Sequence, residues 1–490
     1  MSPAAIALSI VGAIVFGTII FALLAVHRLP RDPTQYIVGG RSFGALFLWI
    51  LLAVEIYTSF TFLGAAGWAY GKSAPAFYIL AYGPTAYIIS YFLLPPIWRL
   101  GKERGLLTSA DFFVDRYGSR WLGGAIALLQ FVLIVPYVTL QLTGMQILLT
   151  LAGYGRYNAS IAAGAAFIII ALFVFTAGLR GTAWASVIKD ALVLAAVIFA
   201  GIVLPIHFFG SPAKMFDRLL VAHPTWLTLQ SNGQYPPLWY VTTVILSGVG
   251  FYMGPHSIAA VYAAKNGDTL RRNAIFLPLY QILLMLMFFA GFAAILIVPG
   301  LRGPAADQSF MLVVQRFYAP WVLGLVAGAG ALAALVPVSG QLLGAASVLA
   351  KNVLGDLLHV GESDAGRTTA TRILVIVIAV FALWLWLEAK TTLVDLLLIY
   401  YNGMTQLLPG VVFALIWPRV RAPAVAAGIA AGIVTTILLR SSANVHGLNV
   451  GFLALAINLV VCITITVAGK QKTRRLAGSL SDSTRPRLSV

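Results

Sequence analysis

The sequence predicts an all-α membrane protein of about 13 transmembrane helices, and three observations predict it. Of 490 residues, 60% are hydrophobic and only 10% charged, and the mean hydropathy is +0.93. Apolar runs of about 18 residues or more, each able to cross ~30 Å as a helix, recur along the whole length. The alternating pattern of membrane strands is absent, which argues against a barrel. The even spread of the runs gives one transmembrane domain over 1–468 rather than several domains, followed by a polar, basic segment, 469–490, read as a disordered cytoplasmic tail.

The spans fall, in order, at 4–26, 42–70, 74–98, 121–153, 158–177, 183–207, 239–263, 273–299, 319–350, 371–388, 392–417, 422–440 and 447–468. The first has no basic residue before its apolar run and no small-residue cleavage site, so it reads as a retained span and not a leader. The net charge of +17 would raise nucleic acid as a partner for a soluble protein. Here the basic residues divide 23 to 8 between the two sets of loops, with Lys189 inside a span completing the 32. That division obeys the positive-inside rule only for an odd number of spans, with the N-terminus outside and the tail in the cytoplasm. It supports thirteen and removes the nucleic-acid reading. The longest outer connection, 208–238, either caps an entrance or simply joins two spans. Cys462 is the only cysteine, which excludes an internal disulfide and a cysteine-based metal site.

Two spans carry helix-weakening sequence. Span 2 contains LGAAGWAYG (63–71) and span 7 contains SGVGFYMGPHS (247–257), where Pro255 removes a backbone donor. They open two five-span blocks, spans 2–6 (about 42–207) and 7–11 (about 239–417), with spans 1, 12 and 13 peripheral. Interrupted spans at matching positions of two halves point to an inverted-repeat transporter with its site near the midplane. Each half-helix end offers unpaired N–H or C=O groups. The competing reading is that glycine only eases helix packing.

Four stretches carry a resemblance: LTSADFFVDRYGSR (107–120), MGPHSIAAVYAAKN (253–266), SGQLLGAASVLAKNVL (339–354) and LLPGVVFALIWPRVRAPAVAAGIAAG (407–432). With them the chain resembles the sodium:solute symporter family over essentially its whole length, which implies a LeuT-type fold of five plus five helices. The family's second sodium site uses backbone carbonyls where span 2 breaks and a Ser/Thr pair on span 9. Matching Gln341 to the family's glutamine places those carbonyls at about Val54 and Tyr57, a further one at Ala333, and the hydroxyl pair on Val336 and Pro337. Neither of the last two has a side-chain oxygen, and a hard cation needs oxygen ligands.

Two ionisable sites stand out in the apolar runs. Glu55 lies about 12 residues into span 2, roughly 18 Å of helix at ~1.5 Å per residue, near the midplane. An ionisable group there costs roughly 2.5–3.5 kcal/mol and marks a pathway or relay, so Glu55 is a candidate to bind and release a proton. The alternative is a neutral, hydrogen-bonded structural acid. Lys189 and Asp190, in AWASVIKDALVL (183–194), lie on span 6. Lys189 is either a snorkelling lysine or, as in some proton-driven carriers that the chain resembles, an ammonium standing where sodium would sit. Asp395 and His256 are weaker candidates: the first lies near an outer helix end, and the second has no neighbouring histidine to suggest a metal.

The breaks supply the expected substrate pocket: Tyr57, Thr58 and Ser59 from span 2, Ser247, Phe251 and Tyr252 from span 7, and Gln141 from VPYVTLQLTG (135–144) facing them. No arginine lies among them, so half-helix N–H groups and hydroxyls would hold a carboxylate. EIYTSFTFLGAAGWAYG (55–71) and HGLNVGFLALAINLVV (446–461) resemble bacterial monocarboxylate permeases. That resemblance implies import of a small acid of the lactate, pyruvate or propionate class, or alanine, across the bacterial inner membrane with a proton or sodium as coupling ion and no cofactor or obligatory protein partner. A sodium-coupled amino-acid (proline-like) or pantothenate symporter is the alternative, and a carrier-like sensor is the alternative of another class. No nucleophile–base pairing or HExxH set suggests an enzyme.

Overall fold

A computed structural model of the chain describes residues 1–26, 33–53, 56–156, 158–361, 363–388 and 391–482. Helices dominate, and the described residues contain no strand beyond two isolated bridges, Phe43 with Ala264 and Val445 with Leu448. In chain order the elements used below are α1 (Pro3–Val26), α2 (Ala45–Ala53), α3 (Ala65–Lys72), α4 (Tyr78–Glu103), α5 (Ser109–Tyr117), α6 (Arg120–Ala152), α7 (Ala159–Ile198), α8 (Pro237–Gly250), α9 (Pro255–Ala263), α10 (Gly267–Leu283), α11 (Met285–Ile297), α12 (Pro320–Val348), α13 (Asp364–Glu388), α14 (Leu393–Met404), α15 (Ala422–Leu438) and α16 (Val450–Asp482). Among the described residues nine helices are long and apolar enough to cross a membrane, or ten when α8 and α9, bent by 49°, count as one. Two shorter apolar helices, Ser160–Phe175 and Ala422–Leu438, accompany them.

The centre of the bundle is α12. Its best apolar window is 89% buried, against 28% for α1 and α13. A helix that is apolar all round belongs inside, and small residues let its neighbours approach closely. Gly324 packs against the backbone of Ala7 and Gly328 against Ile14, both on α1. At Gly344 an added Cβ would lie 2.6 Å from the His256 backbone nitrogen on α9. The expected spans 158–177 and 183–207 meet without a loop. Gly178, at φ 59° and ψ −173°, turns the chain within the 40-residue run of α7, a conformation that costs glycine little.

The two ends of the bundle differ. At one, Arg180 donates to the Gly39 carbonyl and the Ser42 hydroxyl. There too Arg41 donates to the Leu106 carbonyl, and Lys351 pairs with Asp111. At the other, Trp226 donates to the Ala69 carbonyl and accepts the Ala74 N–H with its own carbonyl. The 208–238 connection is therefore folded onto the α3–α4 turn, with its own helix, Pro212–Ala222.

Candidate functional site

Both spans are interrupted, but the first break precedes the glycine-rich stretch 63–71, which lies mostly inside the resumed helix. α2 ends at Ala53, a turn covers Ile56–Thr58, and the helix resumes from Ser59 through Phe60–Gly64 into α3. Val54 and Glu55 lie outside the described residues. The amides at the start of the second half-helix are capped by side chains. Thr58 N–H donates to Thr61 Oγ1 at 2.9 Å, Phe60 N–H donates to Thr58 Oγ1 at 3.1 Å, and Ser59 N–H donates to Gln141 Oε1 at 3.1 Å. Threonine and glutamine here do what an N-cap does at a helix start. In the second interrupted helix α8 stops at Gly250 and α9 begins at Pro255. Met253 N–H donates to the Gly250 carbonyl, Ser257 Oγ to the Phe251 carbonyl and Gln130 Nε2 to the Met253 carbonyl.

The expected pocket residues form two groups. Ser59 and Gln141 meet directly, and Gly144 sits where any Cβ would strike the Ser59 side chain at 2.3 Å. Phe251 packs on Tyr82 and Tyr87 of α4. Together with Tyr252 it lines a cavity of about 20 Å³ that also touches Leu51, Leu52, Thr182 and Gly340, room for water rather than a solute. Ser247 lies on α8, fully buried. Among the described residues Ser59 Oγ, Gln141 Nε2 and Ser247 Oγ are buried without a hydrogen-bond partner. Leaving such a group unmet costs ~1–3 kcal/mol; Ser59 and Gln141 lie together at the first break, and Ser247 lies on α8 near the second.

Lys189 is fully buried, and its ammonium lies 2.7 Å from Asp190 Oδ1. Tyr280 of α10 donates to the same Asp190 oxygen at 2.8 Å. Tyr57, just past the break, donates to the Tyr280 carbonyl at 3.2 Å, and the two rings stack edge to face with centroids 4.6 Å apart. The buried ion pair is thus tied to the break through Tyr280.

Ala333, Val336 and Pro337 are all buried on α12. Pro337 lies inside the helix and has no N–H for the carbonyl four residues back, so it frees that of Ala333. Beside it Ser339 Oγ donates to the Val336 carbonyl at 2.6 Å and lies 2.9 Å from Thr182 Oγ1. Sequence reasoning placed Ser339 close to the expected hydroxyl positions but out of register, and missed both its partner Thr182 and Tyr280. It used Gln341 only to set register, yet that side chain is fully buried with both amide atoms unpartnered among the described residues. Asp395 accepts the Thr392 hydroxyl at 2.6 Å as a helix cap. His256 packs between Tyr137 and Tyr400.

An all-helical bundle of apolar spans with two interrupted helices defines a multi-pass membrane protein of the kind that carries solutes. A sequence profile of the sodium:solute symporter family matches residues 36–432. The chain therefore belongs to the sodium:solute symporter family, whose members move small solutes with a coupling cation. It is 37% identical to an uncharacterized symporter, YhjB, of Bacillus subtilis, over 96% of this chain and 98% of that protein. It is 30% identical to a monocarboxylate transport permease of Rhizobium johnstonii, over 87% and 89%. Its fold matches a Na+-coupled sialic acid symporter with a TM-score of 0.76 at 14% identity, covering 94% and 98%, which places the chain in the LeuT-type fold.

Proposed function

We propose that the protein imports a small monocarboxylate together with a proton across the bacterial inner membrane. Thirteen spans cross it, arranged as repeats 2–6 and 7–11, with the N-terminus outside and the arginine-rich end in the cytoplasm. The observation that carries this reading is the buried Lys189–Asp190 pair joined by Tyr280 to the break at Tyr57. An ion pair removed from water is costly to keep and, in a membrane, marks a coupling path. The ammonium supplies the positive charge that a bound cation supplies elsewhere, and Val336 and Pro337 bring no side-chain oxygen to compete. The carboxylate of the solute takes the unpaired donors at the breaks, Gln141 Nε2, Ser59 Oγ and Ser247 Oγ. Glu55 is proposed as a second proton carrier. The 30% identity with a named monocarboxylate permease supports the substrate class.

One observation favours a sodium-coupled reading, with an amino acid or pantothenate as solute. Ser339 Oγ lies within hydrogen-bond distance of both the Thr182 hydroxyl and the Val336 carbonyl, beside the carbonyl freed by Pro337, and hard cations take such oxygens. Uptake of labelled lactate, pyruvate and proline into proteoliposomes, under a pH gradient or a sodium gradient, decides between them. Accumulation of the acid with the pH gradient alone is the expected result. Accumulation driven only by sodium would overturn proton coupling, and uptake of proline alone would overturn the substrate class.

A further inference from the structure

One buried carboxylate plays no part in the site above. Asp307 lies in the 3-10 segment Gly303–Gln308, in the connection between α11 and α12, at the end of the bundle opposite the arginine-rich one. It is 2% exposed. Its Oδ2 accepts the Leu393 N–H, the first amide of α14, at 2.9 Å. Its Oδ1 has no partner among the described residues. The segment is seated on the second half of the first interrupted helix: a Cβ at Gly67 would lie 2.4 Å from Asp307 Oδ1 and 2.8 Å from its Cα. Just beyond, Phe310 packs edge to face on Phe62 at 5.8 Å, so the contact runs down to the break.

No cation answers this carboxylate among the described residues. Of the titratable or charged groups on the elements around it, Lys72 of α3 is engaged over the Tyr235 ring at 5.3 Å. Tyr70 donates to the Val298 carbonyl. Arg302 is exposed, and Arg316 is at the far end of the next helix, Ser309–Phe317. On α14 Asp395 brings a second negative charge, while Lys390 lies outside the described residues. Gly67, kept free of a side chain, lets Asp307 reach a place where its charge is unwelcome.

We propose that Asp307 is a proton-binding site that latches this end of the protein: with the proton bound the 303–308 segment stays seated on α3 and α14, and without it the segment lifts. Burial pushes the Asp307 carboxyl up to about 7 from its ordinary 3.8, against the pull of the Leu393 N–H and with a further push from Asp395. The seated form therefore holds a proton that the lifted, hydrated form releases. Its stabilisation is complete below the ordinary carboxylate range and is lost as pH rises through about 7. Acid shuts this end and alkali opens it. The membrane orientation proposed above says only which compartment's pH is sensed; the latch itself needs neither that orientation nor any solute.

The test uses the full-length protein in detergent, where both ends meet one buffer, so its failure is separate from any failure of the transport reading. In a Cys462→Ala background, cysteines at the exposed positions Arg156 and Arg302 carry spin labels. Pulsed EPR reads their distance from roughly pH 5 to roughly pH 9. The expected result is one distance population in acid converting to a second with a midpoint near neutrality. Asp307→Asn holds the acid population at every pH, and Gly67→Ala gives the alkaline population even in acid. A distance distribution that does not move with pH overturns the latch, as does an Asp307→Asn protein that keeps the pH response. Should Asp307→Asn fail to fold, the parent titration and Gly67→Ala decide alone.

Discussion

Gln141 is placed to do two things with one amide: its oxygen holds the Ser59 N–H, and its nitrogen has no partner among the described residues. On the proposed reading, Gln141→Ala removes a donor to a charged solute and uncaps an amide. A hydrogen bond to a charged group contributes ~1.5–3 kcal/mol, so the half-saturating solute concentration should rise about tenfold or more, measured in proteoliposomes at matched protein density. Lys189 makes a sharper case. Lys189→Gln leaves Asp190 buried without its counter-charge, a loss of about 3–5 kcal/mol to be seen as a lower melting temperature in detergent. Lys189→Gln with Asp190→Asn should regain most of that stability yet fail to accumulate solute on a pH gradient. Recovery of both together would remove the pair from coupling. The charged pair was legible in the sequence because an acid and a base in an apolar run are rare enough to be conspicuous. Tyr280 was not: a single tyrosine reads as an ordinary packing residue, and its partner Asp190 is 90 positions away.

At the scale of elements, α12 combines two devices. Pro337 frees the Ala333 carbonyl, and Gly344 admits α9. Pro337→Ala returns an N–H to that carbonyl. It should leave the protein as stable or slightly more so while cutting cation-driven accumulation, and retention of full coupling would show that the freed carbonyl does not matter. Gly344→Ala meets backbone at 2.6–2.7 Å, where nothing flexible can yield, and should lower the melting temperature markedly. Overpacking of this kind costs ~1–3 kcal/mol. The second break was legible because Pro255 acts on the backbone locally, whereas the span 2 glycines Gly64 and Gly67 lie within the resumed helix and serve close packing against Val394 and Asp307, so the first break was found in the right span but at the wrong residues. The Gly178 turn was marked only as a boundary between two spans, since a single glycine looks the same whether it packs or turns. The seating of 303–308 on Gly67 was not legible at all: it joins segments some 240 positions apart, and only a folded chain brings them together.

For the whole molecule, the division of basic residues fixes an expectation about direction. With Cys462 buried, the parent protein gives a clean background for labelling. A cysteine placed at Arg156 should react with a membrane-impermeant maleimide in intact cells, and one placed at Arg419 only after the membrane is opened. The reverse pattern would invert the proposed orientation. The membrane class, and the family through its four motifs, were readable from composition and short stretches because the bilayer imposes length and polarity on every crossing. The solute was not readable, because its recognition rests on amides and hydroxyls that many small molecules satisfy.

Phe43 links the two halves of the chain more tightly than its place in a loop suggests. Its N–H donates to the Ala263 carbonyl, and its carbonyl accepts the Lys265 N–H. This staple fastens the run-up to α2 to the end of α9, so the stubs on the arginine-rich side of both interrupted helices form one mechanical piece. On the proposed reading, a piece that moves as a unit would open both half-sites together, and releasing solute or cation alone would first require these two main-chain hydrogen bonds to part.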